Sequence, residues 1–284
     1  MLPHDIEIST QDNQESFWYE FMLQRTESGA GGYEPLYNLY SRKHAIQHGD
    51  LQHKGGADAQ PVELKLSADL ALAKLMDEFP PARAVRLAIR KYRVINPDNE
   101  DDPLNWATIW MGECTGWEVV DEANRILNAE PMSLVIAQGG LRMTWARLCP
   151  HVLYDPLTCS ANKNLFGTGV PSLGVPDRLR VRSPAFASRV SGYFTGGVLE
   201  WNRTIPEQGG GTKVIRDQRS IDMHYGDTIE MLGGTAGISE GAAGDIYAGC
   251  PRTLKACHEV FDNAPNFGGV FIDGKSPFDG NPTF

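Results

Sequence analysis

A chain of 284 residues with 41% apolar side chains can bury at least one full core, and it is long enough for two domains of ordinary size. A formal charge of −10, with no Lys/Arg cluster, opposes the counterion release that tight nucleic-acid binding relies on. No stretch approaches the roughly 18 to 20 consecutive apolar residues of a membrane span. Met1-Leu2-Pro3-His4-Asp5 also lacks the basic region and apolar run of a signal peptide, so a soluble, unsecreted chain is expected.

Along the chain, short apolar runs are punctuated by Gly and Pro, the texture of a mainly β protein. His44, His48 and His53 fall in a polar, glycine-containing stretch, read as a solvated hairpin in preference to a metal-binding trio. Ala68, Leu72, Leu75, Met76 and Phe79 recur at helical spacing behind Ser67 as N-cap and ahead of Pro80-Pro81. They predict one amphipathic helix covering a barrel mouth. Val85, Leu87 and Ile89 alternate with Arg86 and Arg90, the period of a strand with one wet face, and Tyr92 and Val94 shift the phase as a bulge would. Asp98 to Asp102 lacks the ligand order of a calcium loop and reads as an acidic turn. Trp106, Trp110 and Trp117 read as core or interface anchors in preference to a carbohydrate stack. Trp110, the Gly112 to Gly116 stretch and Trp117 to Val119 continue the pattern of strands and tight turns. Residues 1–147 are thus expected to form an N-terminal β-rich, barrel-like domain with one notable helix.

Val198 to Trp201, the Gly209-Gly210-Gly211 triplet, Lys213 to Arg216 and Thr228 to Met231 predict further strands and hairpins. A second β-barrel-like part, residues 148–273, is therefore expected, followed by a C-terminal arm, 274–284, with turn chemistry and no periodicity. Cys149 and Cys159 stand at the entrance to this second part and Cys250 and Cys257 at its exit. The ends of a compact domain are often close in space, so four sulfurs could meet there. Without a signal peptide, five cysteines point to a reducing compartment, where thiols bind metals or stay buried. Thiolates suit structural zinc or an iron–sulfur cluster equally. The spacings, with nine and six intervening residues, match neither zinc ribbons nor ferredoxins, and ordinary buried thiols stay open as a reading. His151 and His258 lie close to cysteines as alternative ligands, as donors to sulfur or as ordinary loop histidines.

The stretch Ala248-Gly249-Cys250-Pro251, with Cys257, Phe261, Asn263, Asn266-Phe267 and Gly269, resembles the ending of the lambda-like phage minor tail protein L group and of gene transfer agent tail hub proteins. Cys149-Pro150-His151-Val152-Leu153-Tyr154-Asp155-Pro156-Leu157-Thr158-Cys159 is similar to the upstream motif of the same group. Pro251 stands where Asp is common, and Val270-Phe271 replaces the usual Phe-Pro. The resemblance implies a homotrimeric tail tip or baseplate hub of a long non-contractile tail, a non-catalytic virion component assembled in the host cytoplasm. It further implies a structural 4Fe-4S cluster held by Cys149, Cys159, Cys250 and Cys257, with zinc as the alternative metal and Cys114 left over. The partners implied are the distal tail protein, the tape measure protein and a central fibre or receptor-binding protein. The acidic balance would keep DNA passing through the channel from adhering.

An enzyme is the competing class: a tail-associated cysteine hydrolase using Cys114 or Cys257 with a histidine base. A nucleophilic thiol needs such a base oriented by a third group, often at a helix N-terminus. Cys114 sits instead in a glycine-rich strand context, and adjacency of Cys257 and His258 in sequence does not make a productive pair.

Overall fold

The computed structural model describes residues 15–25, 32–49, 51, 60–93, 105–133 and 146–269. The acidic turn at 98–102, His53, Val94 and the arm at 274–284 lie outside these residues. The chain is mainly β, and its strands form two antiparallel sheets.

The first sheet contains β1 (Phe17–Gln24), β2 (Tyr33–Tyr40), β3 (Ile46–His48), β4 (Val62–Ser67), β5 (Val85–Tyr92), β6 (Trp106–Val119) and β7 (Asn124–Pro131). Their spatial order is β2-β1-β5-β6-β7-β4-β3. Strict alternation sends Val62, Leu64 and Leu66 of β4 inward and leaves Glu63 and Lys65 exposed, and β1 does the same with Tyr19, Phe21 and Leu23. Helix α1 (Ala71–Glu78) closes this core with Leu72, Leu75 and Met76. It begins later than its apolar spacing predicts. Leu70 is the N-cap and contributes no side-chain bond, while Ser67 ends β4 and its hydroxyl accepts from the Asp69 N–H at 3.3 Å. A register shift in the β5–β6 ladder falls between Ile89 and Arg90, where the two-residue period of β5 weakens.

The second sheet contains β8 (Gly167–Val170), β9 (Arg180–Arg182), β10 (Val198–Pro206), β11 (Thr212–Tyr225), β12 (Thr228–Met231) and β13 (Gly244–Tyr247), in the order β8-β13-β10-β11-β12-β9. Trp201, Phe186, Phe194, Ile229 and Ile246 fill its core. The barrel-like expectation needs correction: among the described residues neither ladder closes, and β2 and β3 bound one sheet while β8 and β9 bound the other. Beside α1, the one notable helix expected, stands α2 (Leu254–Glu259), too short to register as a periodic pattern.

The β10–β11 hairpin belongs to both cores, because Ile205 and Ile215 near its tip pack with the first sheet. Main-chain bonds fix that docking: the Tyr37 hydroxyl donates to Pro206 O at 2.6 Å, Ala71 N–H donates to Gln208 Oε1 at 3.0 Å, and Lys213 donates to Leu36 O. Deeper in, the buried Arg203 guanidinium donates to Phe79 O at 2.7 Å and faces Asp217, fully buried, at 3.4 Å. Arg83, also buried, donates to Gln24 O on one side and Arg216 O on the other. A buried charge holds only with such partners around it.

Candidate metal centre

Cys149, Cys159, Cys250 and Cys257 line one cavity, with His151, Arg252, Phe261, Asn263 and Phe267 among the other lining residues. Local structure brings them there from three directions. Cys250 follows β13 directly. Cys257 sits on α2, whose start is fixed by Thr253: the Thr253 hydroxyl accepts from Ala256 N–H at 3.3 Å. Cys149 is tied to the second pair by its own N–H, which donates to Arg252 O at 2.9 Å. Cys159 closes a turn in which Ser160 N–H donates to Asp155 O at 2.8 Å and Thr158 Oγ1 donates to Asp155 Oδ2 at 2.5 Å.

A small aromatic core backs the cavity. Tyr154, Phe166, Tyr247 and Phe261 pack ring to ring, and the Tyr154 hydroxyl donates to Ala248 O at 2.7 Å. Asn263 joins the two cysteine segments: its side-chain amide donates to Cys159 O at 2.5 Å, and its carbonyl accepts the Cys257 thiol at 3.2 Å. The described non-glycine residues with left-handed backbone are Tyr154, Ser160, Arg252 and Asp262, at φ 66°, 56°, 63° and 47°. All four flank this cavity in sequence. Such conformations cost on the order of 1–3 kcal/mol each and persist where the surroundings over-determine them.

Three sulfurs already receive an N–H. Arg252 N donates to Cys250 Sγ at 3.3 Å, Gly268 N to Cys149 Sγ at 3.4 Å, and Asn263 Nδ2 lies 3.8 Å from Cys159 Sγ. Donors aimed at sulfur stabilise thiolates. Burial acts the other way, pushing the Cys257 and Cys250 thiols up, and charge on the other cavity sulfurs pushes both further. Four thiolates facing one another therefore need a cationic group between them, and the chemistry of the donor set fits a bound metal. The cavity measures about 60 Å³, several times the roughly 10–15 Å³ that one water needs. Among the described residues, no three His, Cys, Asp or Glu side chains are grouped so as to hold a metal ion as they stand. This is the geometry of thiols around a space, not of ligands around a point.

Cys114 lies apart, in β6 opposite Ala129. Burial and the adjacent Glu113 push its thiol up to about 12, so it stays protonated and is a poor nucleophile. His258 is exposed on α2. His44 accepts from Tyr40 N–H at 3.0 Å and His48 Nδ1 bonds the Tyr19 hydroxyl at 2.8 Å, two separate structural roles. Trp110 and Trp117 pack against the first core, while Trp106 joins Trp18, Tyr40 and Tyr92 in an aromatic group. Sequence reasoning missed the bridging part played by Asn263 and the cap at Thr253; a Thr placed before an apolar turn is the signal that could have found the second.

Residues 192–275 match a family described as phage conserved hypothetical protein BR0599. That segment includes Cys250 and Cys257. No curated protein sequence matches the chain. Among solved structures, a chain described as "Virion of native gene transfer agent (GTA) particle" is similar in fold, with a TM-score of 0.61 and 15% identity. The match covers 99% of this chain and 100% of that one.

Proposed function

We propose that this chain is a structural virion protein, the homotrimeric tail tip or baseplate hub of a long non-contractile phage-like tail, stabilised by a 4Fe-4S cluster on Cys149, Cys159, Cys250 and Cys257. The observation that carries the reading is the arrival of thiols from two distant segments at one cavity, behind loops held in costly backbone conformations. A phage family matching the segment that holds the second cysteine pair, and a fold shared end to end with a gene transfer agent virion chain, supply the setting. A cavity wider than one ion needs favours a cluster over zinc, and N–H groups at three of the four sulfurs are the environment in which such clusters are held and tuned.

The cluster's part is structural. It supplies the positive charge the thiolates need and ties loops on both sides of the second sheet, because metal binding free energy becomes folding free energy where the site forms only on folding. Residues 1–147 act as the β-rich hub domain, 148–273 as the cluster-bearing domain and 274–284 as an arm. The partners in this reading are two further copies of the chain, the distal tail protein, the tape measure protein and a central fibre or receptor-binding protein. DNA passes through the ring without tight binding. The hydrolase alternative loses ground because the Cys114 and Cys257 thiols are both pushed up, opposite to what an activated nucleophile requires.

Gold-labelled antibody against this chain, applied to intact particles, tests the placement. Label confined to the distal end of the tail is expected. Label along the tail tube or on the head would overturn it.

A further inference from the structure

His151 lines the cavity, and its buried Nδ1 has no hydrogen-bond partner among the described residues. A buried polar atom left alone calls for an explanation, and in a cavity lined by four thiols a bound group is the one that fits. The imidazole is held in place from the other side. A Cβ on Gly268 would stand 2.4 Å from His151 Nε2, so the ring packs directly on main chain that only glycine permits. The same Gly268 donates its N–H to Cys149 Sγ at 3.4 Å, so one segment both serves a ligand sulfur and fixes the ring.

Resting on the cluster reading above, we propose that His151, as its Nδ1–H tautomer, donates a hydrogen bond to a cluster sulfur and thereby sets the cluster's reduction potential without ligating iron. Four thiols complete the ligation of a four-iron cluster, which leaves the imidazole nitrogen free to serve as a donor. The sulfurs of Cys149, Cys159 and Cys250 each have an N–H nearby already. A further donor on a ring that lines the same cavity, with its Nε2 edge against Gly268, would meet a sulfur of the bound group. Hydrogen bonds to cluster sulfur favour the more negative reduced form, so losing one lowers the potential.

The test compares wild-type full-length protein with His151→Leu, which removes the donor, and His151→Asn, whose amide nitrogen can replace Nδ1. EPR-monitored redox titration reads the potential, and iron and acid-labile sulfide are measured on each sample. The expected result is a negative shift for His151→Leu and a value close to wild type for His151→Asn. Equal potentials in all three, or equal shifts in both variants, would overturn the assignment. If His151→Leu fails to hold a cluster, pulsed EPR on reduced wild-type protein labelled with ¹⁵N-histidine decides. A weak histidine nitrogen coupling supports the donor role, and either no coupling or the strong coupling of a direct ligand overturns it. Iron and sulfide without a histidine signal sink this inference alone, whereas wild-type protein without iron and sulfide sinks the cluster reading and this inference with it.

Discussion

Two polar regions hold this molecule together, and they differ in what they lack. At the docked β10–β11 hairpin, Arg203 faces Asp217 and donates to Phe79 O, and Arg83 bridges Gln24 O and Arg216 O. Those charges are met by carboxylate and carbonyl groups from the chain itself. At the cysteine cavity, N–H donors converge on sulfurs that repel one another once ionised, and His151 Nδ1 points to no acceptor among the described residues. At the hairpin joint both guanidinium groups meet acceptors from the chain itself, although Arg83 Nε has no hydrogen-bond partner among the described residues. In the proposed reading, an iron–sulfur cluster would complete the cavity, since it brings both positive charge and sulfur acceptors.

Breaking the hairpin joint gives the largest expected effect. Asp217→Ala takes from the buried Arg203 guanidinium its fully buried carboxylate, leaving Phe79 O and the more exposed Glu78, and frees the Ala82 and Gln218 N–H groups. A loss of about 3–5 kcal/mol is expected in denaturant titration, the usual cost of stranding one member of a buried pair. Metal supply should not rescue it. Asn263→Ala attacks the cavity instead, removing the amide that holds Cys159 O and the acceptor of the Asn266 side chain. Its cost is expected at about 1–3 kcal/mol, and it should shrink when the protein is loaded with iron and sulfide, as the Asp217 variant should not. Thr253→Ala removes only the cap of α2, a loss of about 1 kcal/mol, seen as faster amide exchange in 254–259.

Cys114 sharpens the comparison from the least responsive side. With its thiol at about 12 against an ordinary 9.0, its thiolate fraction at pH 8 is about 1,000-fold below that of a free cysteine. Alkylation should therefore leave Cys114 unlabelled in folded protein. Because its folded value is raised, the native state holds a proton that the unfolded chain releases first. Stability should fall as pH rises from about 9 toward 12, and Cys114→Ala should lack that component.

Much of this architecture is legible in the sequence where one physical rule acts alone. The alternation in β5 places Val85, Leu87 and Ile89 inward, and the glycine triplet at 209–211 marks the β10–β11 turn. Where glycine has two meanings, the reading of strands and tight turns around Gly112 leaves the choice open. Gly112 lies inside strand β6, at a point where a Cβ would stand 2.0 Å from Glu130 O, so it marks a close approach between strands. Helix α2 escapes because six residues cannot display a helical period. The cysteine pairing at the ends of the second part was legible as a possibility, since it follows from chain order. The donors to sulfur were not, because a main-chain N–H such as that of Gly268 carries no sequence signature.

The most direct measurement is iron, acid-labile sulfide and zinc content, with a visible spectrum, on anaerobically purified protein beside the Cys250→Ser/Cys257→Ser double variant. The account predicts broad absorbance near ~400 nm with about four iron and four sulfide per chain, lost in the variant. About one zinc in place of iron, or a metal content unchanged by the double substitution, would contradict it.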